Sequence, residues 1–223
     1  MKRALLGSVG VALAVMLAGV SGGCEQETSA QPAGQNFAPL VRGTDPGQFE
    51  LVEIKADGIS ISEDGEIALT GTPNGYFATK ESYKDYVLRF EWKYDRPADL
   101  EDDAGFDGNS GCLLHIKEPH RVWPACVEAQ LMNRDAGFVF GIAGGKFTSR
   151  RSEQERRKAH DEAIRPVGEW NAMEITSRDG AIRCTMNGTL IDEGDGAEPA
   201  QGPIGWQSEG RPIRFRKLEI RNL

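Results

Sequence analysis

The stretch PACVEAQLMN, Pro124 to Asn133, places a carboxylate and a carboxamide two residues apart, Glu128 and Gln130. Strand alternation sends successive side chains to opposite faces. Val127, Ala129 and Leu131 then share one side, while Cys126, Glu128, Gln130 and Met132 share the other. A carboxyl group on such a face can take or give a proton, and an amide can hold an oxygen through its N–H groups. Two further strand-like runs carry related groups. In DYVLRFEWKY, Arg89, Glu91 and Lys93 alternate with Leu88, Phe90 and Trp92; in GCLLHI, His115 shares a side with Leu113. A histidine titrates near neutral pH and can shuttle a proton or bind a metal. If the three runs lie side by side in one sheet, Glu91, His115, Glu128 and Gln130 converge on one concave surface. The plain alternative is an antiparallel sheet with one wet face, which carries polar residues at every second position without any catalytic task.

The elements that must position these groups read as strands. From Phe37 onward, GEIALTG, DYVLRFEWKY, GCLLHI, ACVEAQLM, WNAMEITSR, AIRCTMNGTLI and IRFRKLEIRNL are short runs of alternating or apolar character. Asp57-Gly58, Asp64-Gly65, Asn74-Gly75, Asp179-Gly180 and Asn187-Gly188 are dipeptides of the kind that supply the positive φ of hairpin turns. The last two frame a three-strand meander. Strands at this spacing predict an all-β antiparallel sandwich. Ser149 to Arg165 departs from the pattern: it is highly charged, has no apolar stripe, and reads as either a short exposed helix or a mobile loop. His160 falls within it and is expected to face solvent.

The N-terminal residues read as a targeting segment. Lys2 and Arg3 precede an uncharged apolar run from Ala4 to Val20, then Ser21-Gly22-Gly23 and Cys24. This predicts a signal peptide over residues 1–23, of the lipoprotein type with Cys24 as the lipidated residue. Residues 24–36 are polar and small and read as a flexible tether, leaving 37–223 as one domain. The net charge of −8 gives no electrostatic reason to bind nucleic acid. The expected location is therefore the bacterial cell envelope, with a lipid anchor as the only membrane attachment. Export permits disulfides: Cys112 and Cys126 flank one loop and can pair, whereas Cys184 reads as a free core thiol. The other reading has all three as buried hydrophobes.

GNSGCLLHI, VWPACVEAQLM, PVGEWNAMEI, MNGTLI and the ending GPIGWQSEGRPIRFRKLEIRNL together resemble the 3-keto-disaccharide hydrolase domain family (DUF1080), over roughly Phe37 to Leu223. The resemblance implies a concanavalin A-like jelly roll of two curved antiparallel sheets. It also implies cleavage of glycosides whose sugar is already oxidised at C3. Retaining glycosidases on this fold commonly carry Glu-x-Asp-x-x-Glu on one strand; the matching spacing here is Glu128-x-Gln130-x-x-Asn133. Two of the three acids are amides, which cannot give a proton at neutral pH or form a glycosyl ester, so the two-carboxylate retaining mechanism is rejected for this strand.

A 3-keto sugar needs less. Its ketone acidifies the C2 hydrogen, and the glycosidic oxygen, β to the carbonyl, can leave by elimination before water adds. A base, a stabiliser for the enolate oxygen and a proton for the leaving group suffice. Glu128, Gln130 and His115 are the candidate catalytic residues for that chemistry. Glu91, Asn109 and Ser110 of the GNSG loop, His120, Trp123 as a stacking platform and Lys146 as an oxyanion partner are the candidate substrate contacts. A divalent metal held by Glu128, His115 or Glu91 stays open, and no cofactor is called for. Trp170 and Trp206 are expected to pack in the core or cap its edge. The competing function is a carbohydrate-binding module of the same fold without turnover.

Overall fold

A computed structural model of the protein describes residues 36–223. The expected signal peptide, Cys24 and all but the last residue of the tether lie outside the described residues. No described helix is long and apolar enough to cross a membrane.

In chain order the strands are β1 Ala38–Pro39, β2 Glu50–Val52, β3 Ile59–Ile61, β4 Ile67–Leu69 and β5 Gly75–Ala78. Then come β6 Tyr86–Tyr94, β7 Gly111–Leu114, β8 Cys126–Gln130, β9 Val139–Ile142 and β10 Lys146–Ser149. Helix α1, Glu153–Ala163, precedes β11 Asn171–Arg178, β12 Ala181–Met186, β13 Thr189–Glu198, β14 Gly205–Ser208 and β15 Ile213–Asn222. The larger sheet runs β10-β13-β12-β11-β6-β15-β4-β3 with β1 beside β15; the smaller runs β2-β5-β14-β7-β8-β9. Both are antiparallel, as the alternation predicts.

The core lies between the sheets. From β6, Leu88, Phe90 and Trp92 point inward, while Arg89, Glu91 and Lys93 point out. They meet Phe77, Cys112, Leu114, Val127, Ala129 and Trp206 of the smaller sheet. Phe77 stacks on Trp206 with ring centroids 5.2 Å apart, and Phe90 meets the same indole edge-on at 5.9 Å. Each such ring contributes roughly 1.5–3 kcal/mol by leaving water. Trp206 is thus core, as expected. Trp170 is not: it lies half-buried beneath Arg216 and Lys93, whose charged groups sit 4.1 and 4.9 Å from its ring.

The meander β11–β12–β13 forms with both of its expected turns. Asp179 and Gly180 have φ of 50° and 78°, Asn187 and Gly188 of 50° and 85°, the signature of tight primed turns. Gly65 also has positive φ. Gly58 and Gly75 do not serve that purpose: neither has positive φ, and Gly75 opens β5, where a side chain would collide with the Val52 carbonyl of β2.

Of the two readings of the charged segment, the helix is observed. Ser152 caps α1: its Oγ accepts from the Glu155 N–H at 3.3 Å, and its own N–H donates to Glu155 Oε2 at 2.8 Å. Arg156 reaches Asp192, fully buried on β13, at 3.1 Å. His160 does not face solvent. It is 4% exposed, with Nε2 at 2.9 Å from the Asn133 carbonyl and Nδ1 at 2.9 Å from Asp161.

The 112–126 disulfide does not form. Cys112, Cys126 and Cys184 are free, buried thiols. The register pairs Cys112 with Ala129, so Cys112 faces the core between the sheets. Cys126 shares the other side of the sheet with Glu128. A sheet therefore separates the two sulfurs.

Candidate active site

Alternation along the smaller sheet decides what its outer face carries. Leu113 on β7 lies opposite Glu128 on β8, which in turn lies opposite Phe140 on β9; Gly111 lies opposite Gln130. On β14, Trp206 turns inward, so Gln207 turns out, followed two residues later by Glu209. The loop 115–125 folds back over part of this face. It buries Tyr76, Ala78, Leu113, Ile116 and Cys126 in a small apolar cluster. Beside that cluster it leaves a hollow of 330 Å³ lined by Asn109, Trp123, Glu128, Gln130, Ile142, Gln207 and Glu209.

Two carboxyl groups face this hollow. Glu128 is 5% exposed, and burial, aided by the charge of Glu209, pushes its carboxyl up to about 8. Burial also raises Glu209, against an opposing hydrogen bond from the Asn109 side chain. Near neutral pH Glu128, the deeper acid, therefore holds a proton. Gln207 is 2% exposed, and its Oε1 has no partner within the protein. A Cβ at position 111 would overlap both Glu128 Oε1 and Gln207 Oε1. Both oxygens thus lie over a glycine. Any side chain at 111 would displace the acid.

Gln130 is oriented by the backbone. Its Oε1 accepts from Leu131 N at 2.9 Å and Met132 N at 2.8 Å. Its amide nitrogen is left to donate. Asn109 Oδ1 is buried without a partner and can accept from a hydroxyl. The hollow therefore offers a protonated acid, a second and less buried carboxyl group, an amide donor and unpaired amide oxygens.

Of the residues singled out in the sequence, Glu128, Gln130, Asn109 and Trp123 come together here. The others lie elsewhere. His115 follows β7 with φ of 60°, which breaks the alternation and turns the ring inward. It is fully buried, with Nε2 3.2 Å from Tyr86 Oη and Nδ1 3.0 Å from the Pro199 carbonyl; burial lowers its pKa. Glu91 sits on the outer face of the other sheet, bound to Arg216 at 2.6 Å and Lys217 at 2.7 Å. Burial pushes its carboxyl up, but these two cations outweigh it and hold it low. Ser110 points into the core and donates to the Gln207 carbonyl at 2.8 Å. Lys146 is exposed and pairs with Glu198 at 2.7 Å. His120 lines a separate hollow with Lys117, Glu118 and Pro199.

The metal set considered from the sequence is therefore not assembled. Among the described residues no three His, Cys, Asp or Glu side chains converge to hold a metal ion. A larger hollow of 650 Å³, lined in part by Arg42, Glu81, Lys84 and Asp85, has no buried carboxyl. Sequence reasoning missed Gln207 and Glu209. The signal was present in Trp206-Gln-Ser-Glu209, an alternation of inward and outward side chains.

A two-sheet antiparallel sandwich with polar groups in a hollow on one outer sheet face is the architecture of jelly-roll carbohydrate-active domains. The family model described as the 3-keto-alpha-glucoside-1,2-lyase-like domain matches residues 35–221, and the chain belongs to that family. No curated protein matches the sequence. Among solved structures, a proposed glycosyl hydrolase from Parabacteroides distasonis ATCC 8503 superposes with a TM-score of 0.58 at 18% identity, covering 84% of this chain and 94% of that one. The carbohydrate binding module CBM66 from Bacillus subtilis gives 0.55 at 9% identity, covering 78% and 96%. The LamAcat structure from Zobellia galactanivorans gives 0.50 at 9%, covering 84% and 96%. At these identities the likeness establishes the jelly-roll fold and nothing finer.

Proposed function

We propose that the protein is an exported enzyme that cleaves glycosides of 3-keto sugars by elimination, with Glu209 as base and Glu128 as acid. The observation that carries this reading is the pair of carboxyl groups lining one hollow, Glu128 buried and Glu209 only half-buried. Glu209, ionised, takes the proton from C2. The C2–H electrons move onto the C3 oxygen, which the Gln130 amide stabilises as an enolate. As the ketone re-forms, C1=C2 forms and the C1–O bond breaks. Glu128 gives its proton to the departing oxygen. Water then adds across the double bond to give the free 3-keto sugar. Asn109 Oδ1, buried without a partner, suits a sugar hydroxyl. Anchoring through Cys24 at the cell envelope belongs to the same proposal.

Leaving-group dependence tests the roles. Wild type and the variants Glu128→Gln and Glu209→Gln are assayed on a 3-keto-disaccharide and on a 4-nitrophenyl 3-keto-glucoside. Glu128→Gln is expected to lose roughly 10²- to 10⁴-fold on the disaccharide and far less on the nitrophenyl compound, whose leaving group needs no proton. Glu209→Gln should lose activity on both. Glycan binding by wild type without cleavage of either compound would overturn the reading in favour of a binding module.

A further inference from the structure

The sheet order that assembles the hollow also divides it. Glu128 on β8 has β7 and then β14 on one side, and β9 on the other. The β14 side carries Gln207 and Glu209; the β9 side carries Ile142, which lines the hollow, and Phe140. Phe140 is directly cross-strand from Glu128, so the two side chains rise side by side from one face. It is 36% exposed, and with Leu223 at the chain end it is one of two exposed large hydrophobic residues among those described. Nothing in the fold requires an exposed phenyl ring there. Its inward neighbour Val139 already fills the core position of β9, and the outer face of an edge strand is a place for polar or charged side chains.

We propose that Phe140 is the platform for the leaving group, with Ile142 extending its apolar surface. This rests on the reading of Glu128 as the acid. The oxidised ring, with its ketone and hydroxyls, takes the polar β14 half, where amide groups wait for partners. The glycosidic oxygen lies over Glu128, and the departing group extends across β9. From β14 to β9 is three strand spacings, about 14 Å, enough for two rings. A leaving group with a flat or ring-shaped apolar face is therefore favoured over a short-chain one, whether that face belongs to a second pyranose or to a non-sugar ring.

The test uses three 3-keto-glucosides: a disaccharide, a cyclohexyl glycoside and an ethyl glycoside. The last two release unactivated alcohols, so they differ in the size of the apolar face more than in leaving ability. Phe140→Ala is expected to lower kcat/KM roughly fivefold to tenfold for the cyclohexyl compound and the disaccharide, mainly through KM, and less than about twofold for the ethyl compound. Phe140→Thr, which suits a strand, should give the same pattern and guards against a folding defect in the alanine variant. A loss specific to the disaccharide makes a sugar ring the occupant; equal loss for both ring compounds makes it any apolar ring. No loss, or an equal loss on all three compounds in both variants, would overturn the platform while leaving the elimination reading intact. A wild type that cleaves none of the three would overturn both.

Discussion

Replacing Glu128 with glutamine should make the protein more stable, and increasingly so as pH rises. Glu128 ordinarily titrates at 4.5; burial first, and the Glu209 charge second, carry it to about 8 in the folded chain. Between those values the folded state keeps a proton that the unfolded state has released. The unfolded state binds fewer protons, so unfolding becomes easier as pH rises, by about 1.4 kcal/mol per pH unit. The contribution is intact below the unfolded value and is lost progressively toward the folded one. From pH 5 to pH 7 the loss is about 3 kcal/mol from this residue alone. Glutamine has nearly the same shape and cannot ionise. Urea unfolding followed by tryptophan fluorescence at several pH values gives the comparison. The gap between Glu128→Gln and wild type should widen by about 3 kcal/mol over that interval. Parallel pH curves would refute the reasoning, because a carboxyl that titrates normally is not a stored acid.

Two other outcomes follow from the geometry. Gly111→Ala should abolish turnover and lower stability, since the added methyl overlaps Glu128 Oε1 and Gln207 Oε1; activity assays and thermal melts check both. The thiols of Cys112, Cys126 and Cys184, buried and free, should react with a thiol reagent only after denaturation, without prior reduction; a mass two hydrogens lower in the unreduced protein would contradict this.

The alternation in β6 and β8 and the Asp-Gly and Asn-Gly turns of the meander were legible because each is local. Alternation was enough to put Glu128 and Gln130 on one face of β8, and the hollow they line also takes in Asn109, expected from its glycine-flanked loop, and Trp123, expected as a stacking ring. The partner acid was not found, because Glu209 reaches the site through a neighbour relation that local patterns do not encode. β14 sits between β5 and β7, far from both in the chain. Glu91 was misplaced for the same reason: its strand has the right alternation but belongs to the opposite sheet. His115 failed differently. One residue in the left-handed region reverses the side on which a side chain emerges, and periodicity cannot foresee it. The disulfide failed on parity, since Cys112 and Cys126 leave the same sheet from opposite faces.

The most direct test of the central claim follows the hydrogen on C2. A 3-keto-disaccharide deuterated at C2 is incubated with the purified protein, and the released sugar is examined by mass spectrometry and NMR at early times, beside an enzyme-free control. Transfer of that deuteron to Glu209 predicts slower cleavage than for the protiated compound and a product that has exchanged C2 deuterium for solvent hydrogen. Cleavage at an unchanged rate, with the deuterium retained at C2, would mean that the bond breaks without an enolate.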